Sequence, residues 1–283
     1  MFARTFVAVL SLTLSVAAQK DARPGSFTVP AGVASDCASF LTSLNTNSGL
    51  EICLTSVVAA TKPFANSTNE LSADQVTASF GQLCGSTANV CSLATIRPLL
   101  NSFADKCADD LISNQDVSAT YDLLYNLLPM RNSICAKDPA SGKYCALQPS
   151  TVGKAQLELP EGELAEIVMA NLDAMGTANT GFLFMTRDAD PGALCSPCFQ
   201  EILAGYVDYE DAIPYTMGVN LSPLLQGQAA LWQSVTDNCG SEVAANVAVK
   251  GGAAPETSDA SSRARSQTAL VGAAALGALV FAL

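Results

Sequence analysis

Ten cysteines constrain this chain more than any other feature: Cys37, Cys53, Cys84, Cys91, Cys107, Cys135, Cys145, Cys195, Cys198 and Cys239. An even count in a chain bound for secretion reads as five disulfides. Ten cysteines allow roughly 900 pairings, and spacing does not select among them. Seven lie before residue 150 and three after it. If all pair within the chain, at least one bond must join the two parts, so a single cross-linked body is expected. Local pairing of Cys135 with Cys145, across a turn-rich loop, is also expected, and of Cys84 with Cys91 likewise.

The start of the chain supports the secretory reading. MFARTFVAVLSLTLSVAAQ carries Arg4, an apolar core from Phe6 to Val16, and the small residues Val16-Ala17-Ala18. That order is a signal peptide over 1–18, cleaved after Ala18, and its core is too short for a membrane helix. The other end is an apolar run from Ala269 to Leu283, shorter than the about 20 residues of a stable span. Before it come a polar spacer, Ser261–Thr268, and the small residues Ser258-Asp259-Ala260. This is the order read by GPI-attachment machinery. Attachment is expected at Ser258, with 259–283 removed as a propeptide. An ordinary tail anchor fits less well, because the run is short and mostly Ala and Gly.

Between the signals the periodicity is helical. Cys37, Phe40, Leu41 and Leu44 share one face, and Ile52, Cys53, Val57 and Ala60 another after Gly49. Ser72 and Gln75 form a capping box ahead of Val76, Phe80, Leu83 and Cys84. The best apolar stripe is Ile96, Leu99, Leu100, Phe103, Cys107 and Leu111, followed by Val117, Tyr121, Leu124, Tyr125 and Leu128. Pro98 falls early in its helix, whereas Pro129 should kink or end its own. Pro160 should open a helix whose first turns hold Glu161, Glu163 and Glu166, with Leu164, Ile167, Val168, Leu172 and Met175 buried. Cys195, Cys198, Phe199, Ile202, Leu203 and Tyr206 align next. Ser222-Pro223 should cap a last helix carrying Leu224, Leu225, Gln228, Trp232, Val235 and Cys239, stopped at Gly240. GFLFM at 181–185 suits strand or helix, and no β alternation of any length occurs.

The expected fold is therefore all-α: a disulfide-stapled multi-helix bundle with irregular loops, a flexible N-terminal leader and a C-terminal stalk. Its parts are a leader (19–35), a Cys-rich helical subdomain (36–145), a linker (146–156), a second helical part disulfide-linked to the first (157–240), and a stalk (241–258).

Two compositional facts restrict function. The signals take one of the 26 acidic and three of the 14 basic residues, leaving a formal net charge of −14 on the mature chain. Such a surface repels phosphate backbones and anionic headgroups, so no nucleic acid is expected as a partner. There is no histidine. Ser-His-Asp and Cys-His catalysis, imidazole metal sites and imidazole pH switches are therefore excluded. No cofactor is implied.

The motifs read blandly. Cys195-Ser-Pro-Cys198 at a helix start could hold a stabilised thiolate, but it lacks the βαβ setting of a redox site. Two structural staples leaving for different partners fit better, and zinc would need a second pair or a histidine. Asp208, Glu210 and Asp211 could be a carboxylate pair for hydrolysis, but a solvated acidic loop fits better. Asp188-Ala-Asp190 is too short for a calcium loop and lacks its terminal glutamate. Asp105, Asp109 and Asp110 read as a wet helix face. Asn66-Ser-Thr68 is the expected glycosylation site, whereas Pro223 after Asn220-Leu-Ser222 should impair modification there.

Three runs carry a resemblance: DCASFLTSLNTNSGLEICL (36–54), YDLLYNLLPMRNSICAKDPASGKYC (121–145), and LCSPCFQEIL with QGQAALWQSVTDNCG within 194–240. They resemble a family of fungal secreted, cysteine-rich, predicted GPI-anchored proteins with an uncharacterised domain. The resemblance covers most of 36–240. It implies a fungal cell surface and a helical fold, and it supplies no activity and no catalytic residues.

The leading expectation is a non-enzymatic cell-surface or cell-wall protein on a GPI lipid, acting in wall organisation, adhesion or recognition. Its partners would be the membrane through that lipid, and cell-wall polysaccharide or an apolar small molecule. One alternative is a lipid- or sterol-binding helical module, with a pocket lined by residues such as Phe103, Tyr121, Tyr125 and Trp232. A second is an extracellular hydrolase with two carboxylates facing each other roughly 5–9.5 Å apart.

Overall fold

Most of the helical periodicities that fall within the described residues become helices. The computed structural model describes residues 27–55, 73–85, 91–147 and 176–250, and no strand occurs among them. In chain order the helices are α1 (Ser35–Leu44), α2 (48–55), α3 (Ala73–Cys84), α4 (Leu93–Lys106), α5 (Ala108–Ser113), α6 (Gln115–Cys135), α7 (Pro191–Leu194), α8 (Pro197–Ala212) and α9 (Gln228–Lys250). Short 3-10 turns lie at Cys145–Leu147, Thr180–Phe182 and Val219–Leu221.

Several helix starts carry side-chain caps that satisfy otherwise orphaned N–H groups. Ser92 accepts from the Thr95 N–H ahead of α4, and Asn114 from the Asp116 and Val117 N–H groups ahead of α6. Ser196 accepts from the Phe199 N–H, with Pro197 as the first residue of α8. α3 begins one residue after Ser72, which itself lies outside the described residues.

α6 is the hub. It packs against α3, α4, α5 and α8, while α1 rests on α4, and α9 on α7 and α8. The expected stripes of α4, α5 and α6, from Ile96 to Leu128, are buried. The α4 stripe runs through Cys107, where the helix breaks and α5 resumes. Aromatic rings fill the space between helices. Phe40 meets Phe103 edge-on at 5.0 Å, Phe103 meets Tyr121 at 5.5 Å, and Tyr125 meets Tyr209 at 5.0 Å and Tyr215 at 4.7 Å. Each such pair adds about 0.5–1.5 kcal/mol beyond its buried area.

All ten cysteines are paired: Cys37–Cys107, Cys53–Cys91, Cys84–Cys135, Cys145–Cys198 and Cys195–Cys239. Cys145–Cys198 supplies the bond across residue 150 that parity required. The local pairs expected for Cys135 with Cys145 and Cys84 with Cys91 do not form. Cys84 and Cys135 end two helices that pack side by side, and that tertiary proximity takes them instead. Cys195 and Cys198 leave for different partners, as staples do.

Other expectations need correction. Pro129 does not end α6, which runs on to Cys135. Ile52 is 52 % exposed; the buried face of α2 is Leu50, Cys53 and Leu54. Asp110 is buried, and its Oδ2 accepts the Ala34 N–H at 3.1 Å, so it does not share the wet face of Asp105 and Asp109. The end of the expected leader is docked: buried Phe27 donates its N–H to Asn45 Oδ1 at 2.6 Å and accepts from Asn45 Nδ2 at 2.9 Å.

Ser222 does not cap α9. Residues 223–227 are turns, and the helix begins at Gln228. Gly240 does break it, with φ 83° and ψ 163°, a backbone favoured only by glycine. The helix then resumes to Lys250 and buries Val247, so residues 241–250 are not stalk. GFLFM is neither strand nor α-helix: Asn179, Leu183 and Phe184 have φ of 52°, 51° and 63°. The Asn179 side chain holds this turn by donating to the Met185 carbonyl at 2.9 Å.

Candidate functional site

The densest gathering of polar groups in the described interior lies where α6 meets residues 213–224. Tyr121, Asp122 and Tyr125 occupy adjoining positions on α6 and all are fully buried. Tyr121 donates to Thr216 Oγ1 at 2.9 Å and accepts the Thr216 N–H at 3.1 Å. Tyr125 donates to the Ile213 carbonyl at 2.7 Å. Asp122 accepts from the Ser222 hydroxyl, the Tyr215 hydroxyl at 3.0 Å, the Leu224 N–H at 3.2 Å and Asn126 Nδ2 at 3.2 Å.

Burial pushes the Asp122 carboxyl up from its ordinary range, and those four donors pull it partly back. The Tyr125 and Tyr215 hydroxyls are pushed up strongly, also by burial first. Such phenols stay neutral and act as fixed donors. Three of the four donors reach Asp122 Oδ1, and the Leu224 N–H reaches Oδ2. Asp122 therefore works as a tie between α6 and the turn, with both of its oxygens engaged.

Around this centre the backbone approaches closely. A Cβ on Gly176 would lie 1.7 Å from the Pro223 carbonyl oxygen, so only glycine fits there. Tyr206 donates to the Gly181 carbonyl at 3.0 Å, fixing the 176–185 turn to α8. Arg97 donates to the Ala212 carbonyl at 3.0 Å and Arg131 to the Leu83 carbonyl at 3.2 Å. Each guanidinium covers the carbonyl end of a neighbouring helix.

The acids singled out in the sequence are dispersed. Asp208 and Asp211 are exposed, while Glu210 turns to Gln228, whose Nε2 donates to it at 2.7 Å. Asp188 faces solvent beside Arg187 at 3.4 Å, and Asp190 caps α7 by accepting the Gly192 N–H at 2.8 Å. Among the described residues no three His, Cys, Asp or Glu side chains gather as a metal site. No described helix is long and apolar enough to cross a membrane. Phe103, Tyr121 and Tyr125 pack on one another and on Phe40 and Tyr215, so these rings fill the space expected of a pocket; Trp232 is half-buried. Asn220 is exposed, but Ser222 of its sequon is buried with its hydroxyl on Asp122.

Spacing does not single out Asp122, Asn126, Tyr209 or Tyr215, and it reads Ser222 as a helix cap and sequon residue rather than as a partner of Asp122. One signal was present: Asp122, Asn126 and Ser133 follow at i, i+4 and i+11 on a helix already apolar on its other faces. Ser258, Asn66, both terminal signals and the helix expected from Pro160 lie outside the described residues.

Residues 25–158 match a domain of unknown function, DUF7729. The match ends short of the third run that carried the resemblance. No curated protein matches the chain. No solved structure matches it either.

Proposed function

We propose that this is a non-enzymatic surface protein of a fungal cell, held outside the plasma membrane or in the wall through a GPI lipid at Ser258. It acts in wall organisation, adhesion or recognition, with wall polysaccharide as the partner class. The observation that carries the reading is the closure of all ten cysteines into disulfides, a framework suited to an oxidising exterior. The two terminal signal patterns supply the route and the anchor. The non-enzymatic part is supported by the dispersal of the acids: Asp208 and Asp211 face solvent, while Glu210 is tied to Gln228.

The test is phospholipase C treatment of intact cells, then mass spectrometry of the released C-terminal peptide. Release with ethanolamine phosphate on or near Ser258 is expected. Recovery of an intact tail through Leu283 would overturn the anchor.

A further inference from the structure

We propose that the α8–α9 contact is a proton-operated latch, in which a proton shared between Glu210 and the Gln228 amide holds the start of α9 against the end of α8 in acidic surroundings and is lost in alkaline ones. Gln228 Nε2 donates to Glu210 Oε1 at 2.7 Å. On the same amide, Gln228 Oε1 is buried and has no hydrogen-bond partner among the described residues. A carboxylate can accept the N–H but offers nothing to that oxygen. A neutral carboxylic acid can do both, accepting on its carbonyl and donating through its O–H. Protonation, with the proton drawn from solvent, thus satisfies an acceptor that is otherwise costly to bury.

The surroundings favour the proton. Tyr125 faces Glu210 from α6, with Asp122 deeper, and Tyr206 and Tyr209 flank it on α8. Asp208 and Asp211 on α8 and Asp237 on α9 are exposed. Arg97 of α4 covers the Ala212 carbonyl at the same helix end. α7, a Pro-Gly-Ala-Leu segment, brings no titratable side chain. Glu210 lies in the last turn of α8, whose dipole disfavours an anion, and opposite the first residue of α9, whose dipole favours one, so the two offset. Burial pushes the Glu210 carboxyl up to about 7, with the Gln228 bond pulling the other way.

The sign follows from linkage. The folded protein holds this proton more tightly than the unfolded chain. The contribution is full below the ordinary carboxylate range, falls as pH rises toward about 7, and is gone above it. Residues 213–227 run between the two latched helices and carry the groups that bind α6. The state of the latch therefore sets how firmly that strap is held.

The test uses the secreted protein with its disulfides intact. Carboxyl-carbon NMR, assigned through bonds, should place the Glu210 midpoint near 7, and the Gln228 side-chain amide signals should move with the same midpoint. Titration in the ordinary carboxylate range, or Gln228 signals that do not move, would overturn the latch. In urea unfolding between pH 4.5 and 8, the wild-type folding constant should fall on the order of 100-fold more than that of Glu210→Gln. Equal pH dependence would overturn it. If Glu210→Gln does not fold, the wild-type titration still decides.

Discussion

Residues 27–135 and 176–250 are held by different means. In the first region three disulfides tie helix ends together, and the rings of Phe40, Phe103 and Tyr121 fill the space between long, capped helices. The second has one disulfide of its own, Cys195–Cys239, and much of it is turn, including the left-handed residues Leu183 and Phe184. Turn backbone leaves N–H and C=O groups that no helix satisfies, and those groups must find partners elsewhere. Here they find them on α6: Thr216 on Tyr121, Ile213 on Tyr125, and Leu224 on Asp122. The first region is stapled within itself, and the second gains much of its order from its bonds to α6.

The largest effect should come from Asp122→Ala, which leaves the Tyr215 and Ser222 hydroxyls and the Leu224 N–H buried without an acceptor. A loss of about 3–5 kcal/mol is expected in urea unfolding. Hydrogen exchange should accelerate first in 213–227, with α4 still protected. Uniform acceleration of both regions would break the comparison. Replacing Cys145 and Cys198 together by alanine should cost about 2–4 kcal/mol. The start of α8 should lose protection while α1 and α4 keep theirs. Tyr215→Phe, which removes one of the four donors to Asp122, should cost about 1 kcal/mol. Its exchange effect should stay within the Tyr215 turn.

The same contrast explains what was legible in the sequence. A stripe such as Ile96–Leu111 announces itself, because one face of a helix is apolar and the rest is not. α6 is surrounded by four helices, so burial extends past its stripe to Asp122 and Asn126, and periodicity assigns such polar positions to solvent. Asp110 was misplaced for a related reason: its partner is the Ala34 N–H, 76 residues away in sequence. Parity required a bond across residue 150, but the pairs themselves depend on which helix ends meet in space. The turns at 176–185 and 222–227 have no period at all. They are specified by single contacts, such as Gly176 against Pro223 and the Asn179 amide on Met185.

The five pairings have a topological consequence. From Cys37 to Cys239 the backbone lies within closed covalent rings everywhere except between Cys135 and Cys145. A hydrolysed peptide bond inside any ring leaves one molecule, because a sulfur bridge still spans the gap. A single nick beside exposed Lys137 or Lys143 opens no ring and yields two fragments, one with three bridges and one with two. The chain therefore carries one seam in an otherwise nick-tolerant framework, and across it the fragments would adhere through noncovalent contacts, among them the grip of α6 on the strap and on α8 and the bond from Arg97 to Ala212.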